Sequence, residues 1–297
     1  MHGRHTFLPF AAALLGIALF SAMDAFMKGA SLAVGSYSAM VLRSLCGVAL
    51  MLPLWLARGG SFPDRSALRL HALRGAISAA MATTFFWALT IMPMAEGIAI
   101  SFIAPLIALY LAAVILGEKI TRGAIGGSLM GLAGVAVIAA ARLGAEDMGR
   151  ESALGIGAML LSAVFYAVNL ILQRKQALMA GPVEVALFQS VFCGLFLALF
   201  APWWLVLPGP EAAGQIALSA LLAAVSLMLL SWAYGKAEAQ ALLTVEYTAF
   251  IWAALFGWLM FAEAVTGVTL IGAVLIVIGC WIASRQGRAE HSEQTTL

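Results

Sequence analysis

A few ionisable side chains stand inside stretches that are otherwise apolar, and their spacing limits what they can do. Asp24 and Lys28 are four residues apart, which puts them on one face of a helix, while Arg43 lies well inside the next apolar stretch and Glu96 opens a later one. A second set, Asn169, Gln173, Gln189, Gln240 and Glu246, occupies the other half of the chain. Ionised groups away from water are expensive, so at such depth they line a polar cavity or pathway by default. Asp24, Lys28 and Arg43 could meet the charged ends of a small molecule, or hold a gate through ion pairs that break and reform. A purely structural Asp24–Lys28 pair, with the lysine reaching to the surface along its methylene stem, is the alternative.

Aromatic residues accompany the polar set. Trp87 and Trp232, Tyr166, and Phe102 and Tyr247 fall near the middle of apolar stretches, and Ser21 stands three residues before Asp24. Indole and phenol present an apolar face with one polar handle, which suits a neutral or amphipathic ligand. Trp203, Trp204 and Trp281, near stretch ends, fit an interfacial belt instead. Nothing points to covalent catalysis, a cofactor or a metal: His2, His5, His71 and His291 are read as lying in termini or a loop, and no HExxH or phosphate-binding loop occurs. Cys46, Cys193 and Cys280 are isolated small core residues.

The elements that must position these groups follow from composition. Hydrophobic residues form 63% of the 297-residue chain and charged residues 10%, with a mean hydropathy of +1.02; soluble domains carry about a quarter charged. The chain is therefore a polytopic membrane protein, with the lipid bilayer as its surroundings. A net charge of +2 with no basic patch excludes nucleic acid as a partner. Windows of about 20 residues, the length that crosses the hydrocarbon core, place ten spans at 8–28, 36–57, 70–91, 95–116, 123–141, 153–173, 183–207, 214–235, 239–261 and 267–285. The first is read as retained and not as a signal peptide, because it runs straight into Asp24 and Lys28.

A shift of 145 residues superposes the chain on itself: Ser21-Ala22-Met23-Asp24 faces Tyr166-Ala167-Val168-Asn169, Trp87-Ala88 faces Trp232-Ala233, and Glu118-x-x-Thr121 faces Glu263-x-x-Thr266. The expected organisation is a first five-helix repeat at 1–142, a linker at 143–152, a second repeat at 153–285 and a polar tail at 286–297. Five spans per repeat force the second copy to enter the membrane upside down. With a cytoplasmic N-terminus, twelve basic residues fall inside and three outside, as the positive-inside rule asks, so both termini are expected in the cytoplasm. Internal symmetry of this kind in a hydrophobic chain points to a carrier whose site lies between the repeats. Glu118 and Glu263 follow one helix end and precede the next helix start, with Thr121 and Thr266 as N-caps. Gly123, Gly127 and Gly131 mark close helix packing, within the chain or in a homodimer.

The inverted repeats resemble the EamA family of the drug/metabolite transporter superfamily. So do the Leu116 to Ile120 and Phe261 to Val265 stretches that lead into a Gly-rich fifth helix. The resemblance implies an all-α membrane protein of ten helices, a non-enzymatic secondary transporter without cofactor, seated in a bacterial inner membrane. It implies a small-molecule solute exported outward, with amino acids, aromatic and neutral ones included, as the expected cargo; uptake of a nucleoside-like or vitamin-like metabolite such as adenosylmethionine or riboflavin is the alternative. Ser21, Asp24, Trp87, Phe102, Tyr166, Asn169, Trp232 and Tyr247 are the expected cavity, and Lys28, Arg43, Glu96, Gln240 and Glu246 the expected gate or coupling groups. Pro105 resembles the family's fourth-helix hinge proline, although the second repeat has Phe250 there.

Overall fold

A computed structural model describes residues 4–116, 122–143, 149–177, 179–234 and 247–294. Every described element is helical: α1 (Arg4–Ala57), α2 (Arg65–Ile91), α3 (Met94–Ser101), α4 (Ala104–Leu116), α5 (Arg122–Leu143), α6 (Gly149–Ala177), α7 (Pro182–Ala198), α8 (Ala201–Trp204), α9 (Pro210–Tyr234), α10 (Ala249–Phe261) and α11 (Gly267–Gln294). Four apolar segments, Leu8–Ala57, Arg65–Ile91, Arg150–Gln173 and Pro210–Leu230, have the length and hydropathy to cross a membrane. Shorter apolar helices fill the remaining expected stretches.

The first two expected spans are joined without a loop. Gly35, at φ 80° and ψ 149°, interrupts α1, in a region of backbone space that a side chain disfavours and glycine tolerates. The chain folds back there: Gly29 lies against Gln215, whereas Cys46, Ala49 and Leu50 share an apolar groove with Ala217, Leu218 and Leu221 of the same α9. Beyond Gly35, the Tyr37 hydroxyl donates to the Leu197 carbonyl and the Val206 amide donates to Ser38 Oγ at 2.9 Å. These bonds fix the reversal against the end of α7.

The expected fourth span is also broken. Helix α3 ends at Phe102, and the Ile103 carbonyl starts α4 by accepting from Leu106 and Ile107, each at 3.1 Å. Pro105 stands in that first turn, where its lost N–H costs nothing. In the second half, Thr248 does the work of Ile103, accepting from Ile251 at 2.9 Å and Trp252 at 3.2 Å. Ile103 and Thr248 are 145 residues apart, so the helix start is kept although Phe250 replaces the proline. Proline is one way to make it and not the requirement.

Contacts recur with the two halves exchanged. Ser226 of α9 donates to the Gly16 carbonyl of α1 at 2.7 Å, and Ser162 of α6 donates to the Met81 carbonyl of α2 at 2.9 Å; Met81 and Ser226 are sequence equivalents. The first helix of each repeat thus packs on the third helix of the other. Gly134 of α5 approaches Gly272 of α11, and Gly127 approaches Gly279. Since Gly127 and Gly134 match Gly272 and Gly279 in sequence, this is the reciprocal pattern of a two-fold interface, formed by helices running antiparallel. The small-residue stripe is used within the chain. A Cβ at Gly134 would collide with backbone of α11, whereas one at Gly126 meets open space. Gly134→Val is therefore expected to cost about 1–3 kcal/mol and lower the unfolding temperature of the detergent-solubilised protein, with Gly126→Ala leaving it unchanged or slightly raised.

Candidate functional site

Lys28 is 4% exposed and its ammonium does not pair with Asp24. It forms an ion pair with Glu263, donates to the Met92 carbonyl at 2.9 Å and sits 5.0 Å above the Phe261 ring. The other Glu263 oxygen accepts from the Met94 amide at 2.8 Å. Met92 is the C-cap of α2 and Met94 the first residue of α3, whose own N-cap, Pro93, offers no side-chain bond. Each charge is therefore set against the helix end whose dipole favours it, ammonium at a C-terminus and carboxylate at an N-terminus. The structural Asp24–Lys28 pair is corrected to one between repeats, because Glu263 reaches across to α3. Thr266 does cap α11, accepting from the Thr269 amide at 3.1 Å.

Asp24 is left with Arg43. Asp24 is 4% exposed, with buried Ser21 one turn away on the same face, and Asp24 and Arg43 are electrostatic neighbours across the fold at Gly35. Among the described residues neither forms an ion pair or a hydrogen bond, and Arg43 Nε is buried without a partner. The other expected residues are distributed as follows. Phe102 and Tyr247, equivalents in the two repeats, meet edge to face with ring centroids 5.4 Å apart, on the line about which the halves exchange. Glu96 lies in the first turn of α3. Trp87 and Trp232 share a matched exposure of 40% and 42% and are not brought into contact with Asp24 or Arg43. Gln240 and Glu246 fall outside the described residues, as does Glu118.

Asn169 and Tyr166 lead to a group that the sequence reading missed. The Arg74 guanidinium is 5% exposed; its Nε donates to Asn169 Oδ1 at 3.0 Å, an oxygen also taken by Ser78 Oγ at 3.2 Å. Arg74 Nη1 donates to Gln176 Oε1, and the Gln176 amide nitrogen faces His71 Nδ1. His71 Nε2 lies 3.2 Å from Glu184, and the ring stacks on Phe188 at 5.0 Å. Tyr166 is an electrostatic neighbour of Arg74. His71 is thus a fully buried residue of α2 and not a loop residue, and Arg74 is not a solvated helix-end charge. Their spacing held the signal: residues 71, 74 and 78 share one face of α2, and 169 and 176 one face of α6.

The Lys28 pair touches Met92 at one end of α2 and His71 lies near the other, 21 residues earlier, or roughly 30 Å along the axis at 1.5 Å per residue. Each end of the bundle has its own buried polar cluster.

A helical bundle with exchanged contacts and charges buried between its halves defines a duplicated, multi-pass membrane protein. The chain belongs to the EamA-like transporter family, whose model matches residues 8–140 and again 153–285. It is 25% identical over 277 residues to the pseudopaline exporter CntI of Pseudomonas aeruginosa, covering 92% of this chain and 94% of that protein. It is 24% identical over 265 residues to the S-adenosylmethionine uptake transporter of Rickettsia felis, at 89% and 88% coverage. With the aromatic amino acid exporter YddG of Ancylobacter novellus it shares 28% identity over 211 residues, 69% and 71% of the two chains. The fold also matches a protein crystal structure at a TM-score of 0.63 and 24% identity, over 95% of this chain and 98% of that one.

Removing one partner of a buried ion pair strands the other charge, at about 3–5 kcal/mol. Lys28→Met and Glu263→Gln are each expected to lower the thermal midpoint clearly, and the double variant to lose less than the sum of the two, as read from a double-mutant cycle.

Proposed function

We propose that the chain is a secondary transporter that exports small zwitterionic metabolites, neutral and aromatic amino acids foremost, by alternating access of two inverted five-helix repeats in a bacterial inner membrane. The observation that carries the reading is the Asp24–Arg43 arrangement: a buried carboxyl group and a buried guanidinium are electrostatic neighbours, and neither is in an ion pair among the described residues. Two unpaired charges at that depth are costly. A solute with an ammonium and a carboxylate would satisfy both, and the Phe102–Tyr247 contact supplies apolar surface for its side chain.

Inversion of the repeats is supported by the antiparallel reciprocal contacts of α5 and α11 together with the distribution of basic residues. In that frame both termini are cytoplasmic, 143–152 is the outer linker, the Lys28–Glu263 pair closes the outer end as a gate, and the His71–Glu184 cluster lies at the inner end. A cysteine at position 263 is then labelled from outside and one at 184 from inside.

A second reading, uptake of an adenosylmethionine-like solute, is favoured by the Rickettsia relative and by chemistry, since such a molecule carries the same amino-acid head. Flux in proteoliposomes containing the purified protein separates the two: a panel of amino acids and nucleoside-like solutes is loaded on either side, and saturable counterflow identifies the cargo. Cells expressing the protein should tolerate otherwise toxic aromatic or branched amino acids if export holds, whereas faster accumulation without resistance would reverse the direction. Asp24→Asn and Arg43→Gln should each leave membrane abundance normal and reduce transport about tenfold or more, the scale of one lost charge-assisted hydrogen bond; unchanged transport in both would remove the zwitterion site.

A further inference from the structure

We infer that Arg74 forms a second solute subsite, specific for a carboxylate, beside Asn169 where α2 packs on α6. The inference deepens the transport reading and rests on it for the path a solute would take.

The first support is charge. Arg74 is a guanidinium at 5% exposure whose hydrogen-bond partners, Asn169 and Gln176, are both neutral. An arginine held only by amides keeps its full positive charge uncompensated, and burial makes such a charge attract any oxyanion that reaches it. Glu184 does not bond it, because Gln176 and His71 stand between the two.

The second support is direction. In the chain Arg74 to Gln176 to His71 to Glu184 every donor faces an acceptor if His71 carries its proton on Nε2. Nε and Nη1 are thereby committed, which locks the plane of the guanidinium. Nη2 donates to no described residue. A planar fork with one edge fixed and one nitrogen unused is suited to an incoming carboxylate, and Tyr166 and Ser78 stand beside it.

The third support is symmetry. Asp24 and Asn169 are equivalent positions in the two repeats. Arg43 is the electrostatic neighbour of the first, and Arg74 is bonded to the second. The two arginines reach these positions from different helices, the second limb of α1 and α2, so the likeness is not copied from the duplication itself. Each of the two equivalent positions therefore has a guanidinium beside it. Asp24 gives its site a place for an ammonium; Asn169 offers none, and the Arg74 site is left as an anion site.

The test is equilibrium binding of phenylacetate and of its uncharged counterpart phenylacetamide to the purified full-length protein, with thermal unfolding recorded in the absence of ligand. Arg43→Gln should retain a phenylacetate site. Adding Arg74→Gln should weaken that site by about tenfold or more, the scale of a lost hydrogen bond to a charged group, while phenylacetamide binding stays the same. Arg74→Lys, which keeps the charge but not the fork, should fall between. If Arg74→Gln does not fold, Arg74→Lys and Ser78→Ala, each in the Arg43→Gln background, carry the same comparison. Phenylacetate binding unchanged by these substitutions, or equal losses for acid and amide, would overturn the inference and leave Arg74 as a strut between α2 and α6. A wild-type protein that binds phenylacetate through Arg74 but moves no amino acid in proteoliposomes would refute the proposed cargo and not the subsite.

Discussion

Everything in this bundle is arranged around the cost of charge away from water. Lys28 and Glu263 tolerate burial because three favourable contacts converge on them: each other, the carbonyl end of α2 and the amide end of α3. The pair joins the first helix of one repeat to the segment between the last two helices of the other. It also fills the gap where α2 stops and α3 starts. A single interaction thus offsets two orphaned helix ends and couples the two halves.

Asp24, Arg43 and Arg74 show the opposite choice. Their charges are buried without an opposite charge bound to them, which a static protein would avoid. On the proposed function the missing partner is the cargo, and stability given up at the site becomes affinity for it. On that proposal structural and functional charges differ in whether each has its counter-charge. Depth does not separate them: Lys28 and Asp24 are equally buried on one helix face.

Helix breaks lie close to the polar groups. Gly35 and the Phe102–Ile103 step interrupt helices that hydropathy alone reads as continuous or loop-linked, and the Tyr247–Thr248 turn precedes α10. Phe102 at the first repeat's break meets Tyr247 at the start of α10's turn, so equivalent positions of the two repeats touch. The dense glycine contacts of α5 and α11, by contrast, leave no room for separation. That pairing holds the two repeats tightly together.

Hydropathy and the 145-residue repeat carry the membrane class, the helical stretches and the positions of the polar residues, because each depends only on residue type and local period. The caps are similarly local, and Thr266 is legible for that reason. Which charge meets which is not local. Asp24 and Lys28 are neighbours on a helix face, and the sequence offers them as a pair; the tertiary structure gives Lys28 to Glu263, 235 residues away, because only packing between repeats brings a helix start and a helix end together at that point. Arg74 and His71 were hidden for the same reason. Near a helix end in sequence, they look solvated, and only the packing of α6 and α7 against α2 buries them. The chain's pattern chooses the elements, and the contacts between the two halves choose the chemistry.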